Sequence, residues 1–557
     1  MESLLAAGAG GIGVAAAAAV VAATLAVAPP KDRGNNPPPV QRRHSQHTRT
    51  HPYEHTHANP TPMSIFEDWP ANSGTPMSIF EDWPANSGEI DEVTTGASLS
   101  TEKKPHHTFT KWSKTYGPIY TIKTGASSVV VLNSTEVAKE AMIEKFSSIS
   151  TKKLPKALSV ISRKNMVSIS DYGDFYKMAK RNIMLAILGF NAQKHFCDTR
   201  ERMVSNVLSS LHKLVAVDPH SPLNFREVYT TELFGLSLIQ NLGEDVCSVY
   251  VEEFGREISK EEIFHVLVHE ILSCVVEPDW RDYFPYLSWL PNKSFETIVS
   301  STEFRRDAVM NALIKRQKER IARGEARISY IDFLLEAKNS TQLTDHQLML
   351  LLAESIAAAV DTVLVTTEWA MYELAKNPDK QARKKNDLER LYREIREVCG
   401  GKAVTEEDLP RLPYLDAVLH ETLRLHSPVP VLPTRFVHDD TTLAGYDVPA
   451  GTQVMINVFG CHMDEEAWES PGEWSPERFL GEGFKLADRY KTLAFGAGRR
   501  TCAGSQQAVS IACVAIARFV QELQWTLREG DGDKEDTMQY TALKLHPLHV
   551  HLKPRGS

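Results

Sequence analysis

The chain has 557 residues, of which 42% are hydrophobic, and a net charge of -9 at pH 7. This length can bury a large core, so we expect one large catalytic domain with an appendage. The acidic balance argues against a nucleic-acid partner, because it provides no basic surface for a polyanion. The seven cysteines are scattered and lack paired spacing, which indicates reduced thiols facing the cytosol rather than a disulfide framework.

Residues 1–28 contain an uncharged run, Leu4–Ala28, that is long enough to cross a bilayer. Lys31 and Arg33 follow this run, whereas Glu2 precedes it. Because positive charge stays on the cytoplasmic side, we predict a membrane signal anchor that leaves the body of the protein in the cytosol. The alanine- and glycine-rich composition leaves a second interpretation open, a disordered tail without a membrane role.

Residues 29–104 are rich in Pro, His, Thr, Ser and Asn. They contain little that a core would bury, so we predict a disordered linker. Within the linker, Thr61–Gly74 recurs identically as Thr75–Gly88, which gives a tandem repeat over residues 61–88. Two short copies cannot build a solenoid. A small partner-binding motif and a duplication without function both remain open.

Residues 105–557 have the patterns of a folded catalytic domain. The stretch Tyr116–Asn133 is rich in β-branched and aromatic residues and predicts two strands joined by a glycine turn. Ser134–Lys145 predicts a capped helix. Residues 190–335 predict helices separated by short breaks and carry no chemical motif.

A further helix begins in the stretch Asp171–Arg181. Tyr176 and Lys180 lie on one face of this helix, because they are four residues apart. A surface lysine and a functional one are both consistent with this position.

Thr344 and Gln347 form a capping-box pattern at the start of a long helix that we expect to end at Asn377-Pro378. Apolar residues surround nearly the whole helix, which places it in the core. Within it, Asp361 and Thr362 put a carboxylate and a hydroxyl among small residues, where a polar pair is costly. The pair is functional, or it is structural, with Thr362 bonded to its own backbone and Asp361 near an Arg or Lys.

Glu421 and Arg424 share one face of a helix that is predicted over Pro413–His426. Downstream, a loop rich in Trp and Pro supplies a second arginine, Arg478. A Glu-x-x-Arg pattern is common, so its meaning depends on what surrounds it.

The strongest motif is Phe-Gly-Ala-Gly-Arg-Arg-Thr-Cys-Ala-Gly at residues 495–504, followed by a long apolar-patterned segment. A cysteine at a helix N-terminus ionises easily, so Cys502 is positioned to bind a metal as an anionic sulfur. Gly498 and Gly504 let the backbone approach a flat cofactor, and Arg500 can pair with an acidic edge of it. The alternative is that Cys502 is a buried small hydrophobe, the usual state of a lone cysteine.

The stretch 495–504 fills every fixed position of Phe-x-x-Gly-x-Arg-x-Cys-x-Gly, and by this signature the chain resembles the cytochrome P450 superfamily. Glu-x-x-Arg, then Pro-Glu-Arg-Phe, then the cysteine loop is also the order of motifs in that family. Phrases such as Tyr116–Ile122, Thr366–Leu374 and Leu545–His549 resemble plant ent-kaurene oxidases and their cereal paralogues. The resemblance implies a mainly α fold with small β-sheets, in one large helical domain after an N-terminal membrane anchor.

The resemblance also implies residue roles. Cys502 would be the axial thiolate of haem b, a ligand that favours O–O cleavage. Asp361 and Thr362 would be catalytic, helping to deliver protons during dioxygen activation. The other positions assigned to cofactor binding are Phe495, Gly498, Arg500, Gly504, Arg435 and Lys180, the last two toward haem propionates. A buried structural network would join Glu421, Arg424 and Arg478.

The chain departs from the family pattern in several places. Tyr176 and Lys180 replace the Trp and Arg that contact a haem propionate. Ala359 stands where Gly is usual, and Val363 where Thr or Ser is common. The proline hinge is largely replaced by the repeat tract, and Ala382–Leu388 resembles an insertion.

The implied function is that of a haem-thiolate monooxygenase that oxidises an ent-kaurene-like diterpene in gibberellin or related diterpenoid biosynthesis. NADPH-cytochrome P450 reductase would supply electrons, and the expected location is the endoplasmic reticulum or plastid outer envelope, facing the cytosol. Basic residues near the cysteine are either reductase contacts or solvated surface: Lys485, Arg489, Lys491 and Arg499. Two rivals remain: a catalytically silent haem-binding paralogue, and a haem-thiolate isomerase or dehydratase, whose members usually disturb the Asp-Thr pair.

Overall fold

The computed structural model describes residues 92–93, 104–325, 328–340, 343–376, 387–480, 492–530, 541 and 547–556. The predicted anchor, residues 1–28, and the tandem repeat, residues 61–88, lie outside the described residues. So do Lys485, Arg489, Lys491 and most of the insertion at 382–388. Of the predicted linker, residues 92–93 and 104 are described.

The described chain is mainly helical, and the prediction of an α fold with small β-sheets is confirmed. Two helices run through the core and carry the Asp-Thr pair; we call Asp345–Ala358 and Asp361–Ala375 the central helix pair. A third, Ser505–Glu522, is the cysteine helix. The other α-helices are Pro105–Tyr116, Thr135–Lys139, Lys156–Ser162, Asp174–Ile183, Phe190–His195, Cys197–Val217, Phe225–Leu242, Lys260–Phe264, Ile271–Val275, Trp280–Tyr283, Lys293–Ala322, Tyr330–Ser340, Asp387–Cys399, Pro413–Leu425 and Val458–His462.

The prediction of one continuous helix from Thr344 is wrong in its middle. The capping box is present, since the Thr344 hydroxyl accepts the Gln347 N–H and the Gln347 side chain accepts the Thr344 N–H. The helix then stops at Ala358 and resumes at Asp361. The Thr362 hydroxyl donates to the Ala358 carbonyl at 3.1 Å, a bond to the preceding turn that often bends helices.

The larger sheet has six strands in the spatial order Glu92–Val93, Ile119–Thr124, Ser127–Leu132, Gln453–Ile456, Arg435–Phe436 and Thr151–Lys152. Its hairpin over 119–132 confirms the predicted strand pair. Its first strand lies inside the segment predicted to be disordered. A three-stranded sheet joins Leu523–Leu527, His549–Pro554 and Leu223–Asn224, and two hairpins pair Thr441–Leu443 with Tyr446–Val448 and Ser248–Val251 with Arg256–Ser259.

The helix predicted over Ser134–Lys145 also differs in detail. It is α-helical over Thr135–Lys139 and continues as a π-helix over Glu140–Glu144. Ser134 does not cap it, because its hydroxyl donates to the Glu136 carboxylate instead of accepting a backbone N–H.

The main core is built around the central helix pair and the cysteine helix. Residues 345–375 are long and apolar enough to cross a membrane, but 67% of their most apolar window is buried inside the protein. The apolar character of this helix pair is therefore explained by packing. The packing holds the break at 358–361 opposite the start of the cysteine helix, and a cavity lies between them.

Candidate active site

Cys502 lies on the last turn before the cysteine helix. Its backbone N–H donates to the Phe495 carbonyl at 3.0 Å, which closes the 495–504 loop on itself. Burial raises the pKa of the Cys502 thiol, while a bond from the Gly504 amide and the charge of Lys180 lower it. The exposed part of the Cys502 side chain faces the cavity, so the sulfur is presented to the interior of the protein.

The two glycines of the loop have different roles. Gly504 lines the cavity, and a Cβ placed there would meet nothing within 4 Å, so the backbone borders open space. Gly498 does not line the cavity. Its φ is +69°, and an added Cβ would approach the Met142 carbonyl to 2.8 Å. Glycine is therefore needed at position 498 by the backbone and by packing on the segment Glu140–Glu144, and its assignment to cofactor binding stays a prediction.

The cavity has a volume of about 350 Å³. One wall is the cysteine loop, including Phe495 and Cys502. Another is the broken part of the central helix pair, where Ala358, Ala359 and Thr362 are exposed to the cavity. Most of the remaining lining is apolar: Val167, Ile183, Ile187, Leu188, Val363, Leu419, Leu423, Pro428, Val429, Leu432 and Pro433.

Besides Lys180, which is described below, three cationic side chains face the same cavity: Lys152, Arg435 and Arg500. Lys152 and Arg435 are cross-strand neighbours in the larger sheet. Arg435 Nε and both Nε and Nη1 of Arg500 are buried without a hydrogen-bond partner among the described residues. Burial, followed by the charges of Arg435 and Arg500, lowers the pKa of Lys152 to about 7. Glu354 also lines the cavity, and its charge opposes the lowering of the Lys152 pKa. The unpartnered N–H groups of Arg435 and Arg500 require further negative charge, because buried cations are costly without an anionic partner.

Tyr176 and Lys180 line the cavity beside the cysteine loop. The Tyr176 hydroxyl donates to the Arg499 carbonyl at 2.8 Å, and Lys180 Nζ lies 3.2 Å from that oxygen and 3.3 Å from the Thr501 carbonyl. The two side chains thus hold the backbone immediately before Cys502. Lys180 is half-buried, and its assignment to a haem propionate stays a prediction.

Asp361 and Thr362 point in different directions. The Thr362 side chain lines the cavity and bonds to its own backbone, as the structural interpretation anticipated. The Asp361 carboxylate is not part of the lining and accepts the Thr541 hydroxyl at 2.5 Å. Burial raises the pKa of Asp361, and the Thr541 bond, His269 and Arg226 oppose this shift.

Glu421, Arg424 and Arg478 are in contact behind the cysteine loop. Arg424 Nε and Nη2 donate to the two Glu421 oxygens at 2.7 and 2.8 Å, and Arg478 Nε donates to Glu421 Oε1 at 3.3 Å. Arg424 Nη1 also donates to the His462 carbonyl at 2.9 Å.

His462 connects this network to the cysteine loop. Burial, followed by the charge of Arg424, lowers the pKa of His462 to about 3, so its ring is neutral. The Leu493 N–H donates to Nε2 at 2.9 Å, which leaves the ring proton on Nδ1, and Nδ1 donates to the Arg424 carbonyl at 2.8 Å. Leu493 lies two residues before Phe495.

A sequence model of the cytochrome P450 family matches residues 92–554. The chain belongs to the cytochrome P450 family. Among its relatives from Oryza sativa subsp. japonica, "Ent-kaurene oxidase-like 5" is 98% identical over 456 residues, which are 82% of this chain and 89% of the relative. "Ent-sandaracopimaradiene 3-hydroxylase" is 82% identical and "Ent-kaurene oxidase 2" is 67% identical. Each match covers 82% of this chain and 88% of the relative.

Solved structures support the same fold. A zebrafish cytochrome P450 solved with progesterone matches this P450 with a TM-score of 0.65, covering 81% of this chain and 99% of the other at 20% identity. Another structure of a zebrafish cytochrome P450, with abiraterone, gives a TM-score of 0.64 and covers 81% of this chain and 100% of the other. The predicted resemblance to the P450 superfamily, and to ent-kaurene oxidases within it, is confirmed.

Haem is the cofactor of this family, and the residues present fit it. Cys502 offers a sulfur to the cavity, and Gly504 leaves open space beside it. The unpartnered N–H groups of Arg435 and Arg500, with Lys152, suit the two carboxylates at one edge of the haem ring. Bound haem would therefore supply negative charge to this cation cluster.

Lys152, His462 and Glu354 are absent from the sequence-based assignment. No sequence pattern around Lys152 marks it as a site residue, because its position at the cavity follows from strand pairing with Arg435. His462 likewise acts through contacts distant in sequence. Glu354 did carry a signal, because it is the one charged residue between Gln347 and Val360. It lies one helical turn before Ala358, and both residues line the cavity.

Replacing Lys152 with methionine is expected to make haem dissociate about tenfold faster or more, since a hydrogen bond between charged groups contributes about 1.5–3 kcal/mol. The measurement is transfer of haem from the purified P450 to an excess of apomyoglobin. Lys153→Met is the matched control, because Lys153 is the exposed neighbour on the same strand end. Equal dissociation rates for the two variants would exclude Lys152 from the haem site.

Proposed function

We propose that this P450 oxidises a diterpene hydrocarbon of the ent-kaurene or ent-sandaracopimaradiene type. Dioxygen would be the oxidant, and NADPH-cytochrome P450 reductase would deliver the electrons. The observation that carries the proposal is the largely apolar cavity between Cys502 and the 358–362 break. Two relatives, at 82% and 67% identity, carry names of diterpene-oxidising enzymes, which supports the substrate class.

The overall reaction is balanced as RH + O2 + NADPH + H⁺ → ROH + H2O + NADP⁺. Haem supplies the reduction of dioxygen and the oxidation of the C–H bond. The chain contributes a dry cavity, because apolar side chains form most of the lining and bind a hydrocarbon by excluding water. The cation cluster would pair with the haem carboxylates, so it would not bind a charged substrate.

Thr362 and Asp361 are proposed to handle the protons that dioxygen reduction consumes. The Thr362 hydroxyl is exposed to the cavity, where it can form a hydrogen bond with a water molecule or with dioxygen. Burial raises the pKa of Asp361, so its carboxyl group takes up a proton more readily than a free aspartate does and can pass it on beside Thr362. For transfer into the cavity, the Asp361 side chain would have to exchange its bond with Thr541 for one toward Thr362.

Thr362→Val and Asp361→Asn should each lower product formation about 100-fold or more, since a positioned proton donor typically contributes 10²- to 10⁴-fold. NADPH consumption should fall less, with the difference appearing as hydrogen peroxide. Product, NADPH and peroxide are measured in one assay. Thr297→Val is the control, because the exposed Thr297 makes the same bond to a carbonyl four residues earlier, 2.8 Å from Lys293 O. Unchanged product yield per NADPH in both variants would exclude this role.

The function is tested by co-expressing the P450 with a plant NADPH-cytochrome P450 reductase and supplying ent-kaurene and, separately, ent-sandaracopimaradiene. We expect the red-shifted Soret band of a thiolate-ligated ferrous carbonyl complex, together with oxygenated product from at least one diterpene. The band without product would favour the silent haem-binding paralogue. Product without added reductase and NADPH would favour the isomerase or dehydratase.

We also propose that residues 1–28 attach the P450 to the endoplasmic reticulum or the plastid outer envelope, with the catalytic domain in the cytosol. The uncharged run Leu4–Ala28 and the cations that follow it support this orientation. Alkaline carbonate extraction of plant membranes should leave the full chain in the pellet and release a chain that lacks residues 1–28. Protease added outside intact vesicles should digest the catalytic domain.

A further inference from the structure

The turn formed by residues 165–170 borders the cavity without regular secondary structure. Within the turn, the Ser170 N–H donates to the Met166 carbonyl at 2.9 Å. Further bonds to the turn come from neighbouring elements. Glu354, on the first helix of the central helix pair, accepts the Val167 N–H through Oε2 at 2.5 Å and the Ser168 N–H through Oε1 at 2.7 Å. Val167, Ser168 and Glu354 all line the cavity.

The two ends of this turn are held as well. Gln347 Nε2, two helical turns before Glu354, donates to Asn165 Oδ1 at 3.1 Å. Arg500 Nη2, in the cysteine loop, donates to the Ser170 carbonyl at 2.6 Å. The turn is thus fixed at its start by the central helix pair, at its end by the cysteine loop, and in its middle by one carboxylate.

We propose that Glu354 is a positioning residue for the substrate, because it fixes the Val167–Ser168 backbone as a wall of the cavity facing Ala358 and Thr362. The inference rests on the proposed function and deepens it. Glu354 lines the cavity together with Ala358 on the same helix and Thr362 on the second helix of the central helix pair. A carboxylate bonded to two successive amides sets the distance between the turn and the helix. This distance determines how a rigid hydrocarbon lies in the cavity, and therefore which of its carbons faces the haem.

The charge of Glu354 suits this role. A carboxylate accepts both amides at once, whereas a carboxamide offers one acceptor and turns an N–H group toward the other amide. Hydrogen bonds to an ionised carboxylate are also stronger than those to a neutral carboxamide. Burial raises the pKa of Glu354, while the bonds from Ser168 and Val167 and the charge of Lys152 oppose that shift.

The test compares Glu354→Gln with Glu394→Gln in the haem-loaded P450. Glu394 is a matched control, because it also accepts two successive backbone amides, those of Tyr414 at 2.7 Å and Leu415 at 3.0 Å, and does not line the cavity. E354Q should increase hydrogen–deuterium exchange of the Val167 and Ser168 amides by about tenfold or more. E394Q should leave those two amides unchanged and increase exchange at Tyr414 and Leu415.

The second readout is the distribution of products. With the diterpene that the wild type oxidises, E354Q should spread oxidation over additional carbons and raise KM more than it lowers kcat, while E394Q keeps the wild-type product ratio. If the wild type oxidises neither diterpene, the proposed function fails, and the spectral Kd of 1-benzylimidazole replaces the product ratio. It should then change in E354Q and not in E394Q.

Two results would overturn the inference. Unchanged exchange at Val167 and Ser168 in E354Q would show that the carboxylate does not fix the turn. Faster exchange with an unchanged product ratio, or an unchanged 1-benzylimidazole Kd where no product forms, would show that the turn does not position the ligand. Both variants must give the thiolate Soret band, which establishes that the haem site is intact.

Discussion

Replacing Cys502 with serine should abolish the thiolate signature of the ferrous carbonyl complex and lower product formation by more than about 100-fold. The reason is that the sulfur is the one group in the loop that can act as a soft anionic ligand, and the Gly504 amide and Lys180 are arranged to favour its charged form. Outer partners of a metal ligand are typically worth 10- to 100-fold, so loss of the ligand itself costs more. The absorbance difference spectrum under carbon monoxide and the turnover assay measure the two effects.

Cys247→Ser is the control for this substitution, since Cys247 is an exposed free cysteine that does not line the cavity. It should keep the thiolate band and full activity. A thiolate band that survives in C502S would mean that another cysteine holds the iron. The assignment of the 495–504 loop as the haem site would then be wrong.

The sequence was informative wherever function depends on neighbours along the chain. The cysteine loop is such a case, because a cysteine, two glycines and an arginine within ten residues must share one turn at a helix entrance. The helix carrying Glu421 and Arg424 was predicted over Pro413–His426 and spans Pro413–Leu425. Its pair lies three residues apart, which the helical period places on one face.

Features set by packing between distant segments could not be predicted. Lys152 faces the cavity because its two-residue strand pairs with Arg435, nearly three hundred residues away. Gly498 was assigned to the cofactor, and its packing on Met142 was not foreseen. The break at 358–361 was missed because the apolar pattern continues through it. A bond from the Thr362 hydroxyl to its own backbone was one interpretation, but the pattern does not show that the helix is interrupted where this bond forms.

Arg424→Ala is expected to destabilise the fold by about 3–5 kcal/mol, the usual cost of removing one partner of a buried ion pair, because Arg478 Nε, at 3.3 Å from Glu421 Oε1, replaces only part of the lost bonding. Arg424 and Glu421 are both fully buried. Beyond Glu421, Arg424 donates to the carbonyls of His462, Pro471 and Glu473 at 2.9, 2.7 and 3.1 Å. The substitution therefore leaves one carboxylate and three carbonyl groups without this donor. Chemical denaturation followed by tryptophan fluorescence, at fixed haem content, measures the change.

The same substitution should also be visible at the haem, because His462 links Arg424 to Leu493 and so to the start of the cysteine loop. We expect a larger fraction of R424A to lose the thiolate band on mild heating, at temperatures where the wild type keeps it. Lys114→Ala is the control, since Lys114 and Glu465 form an ion pair with both side chains largely exposed, and such pairs contribute little. If R424A unfolds at the same denaturant concentration as K114A, the network does not support the cysteine loop. If R424A is destabilised but keeps the thiolate band on heating, the network stabilises the fold without the proposed link through His462.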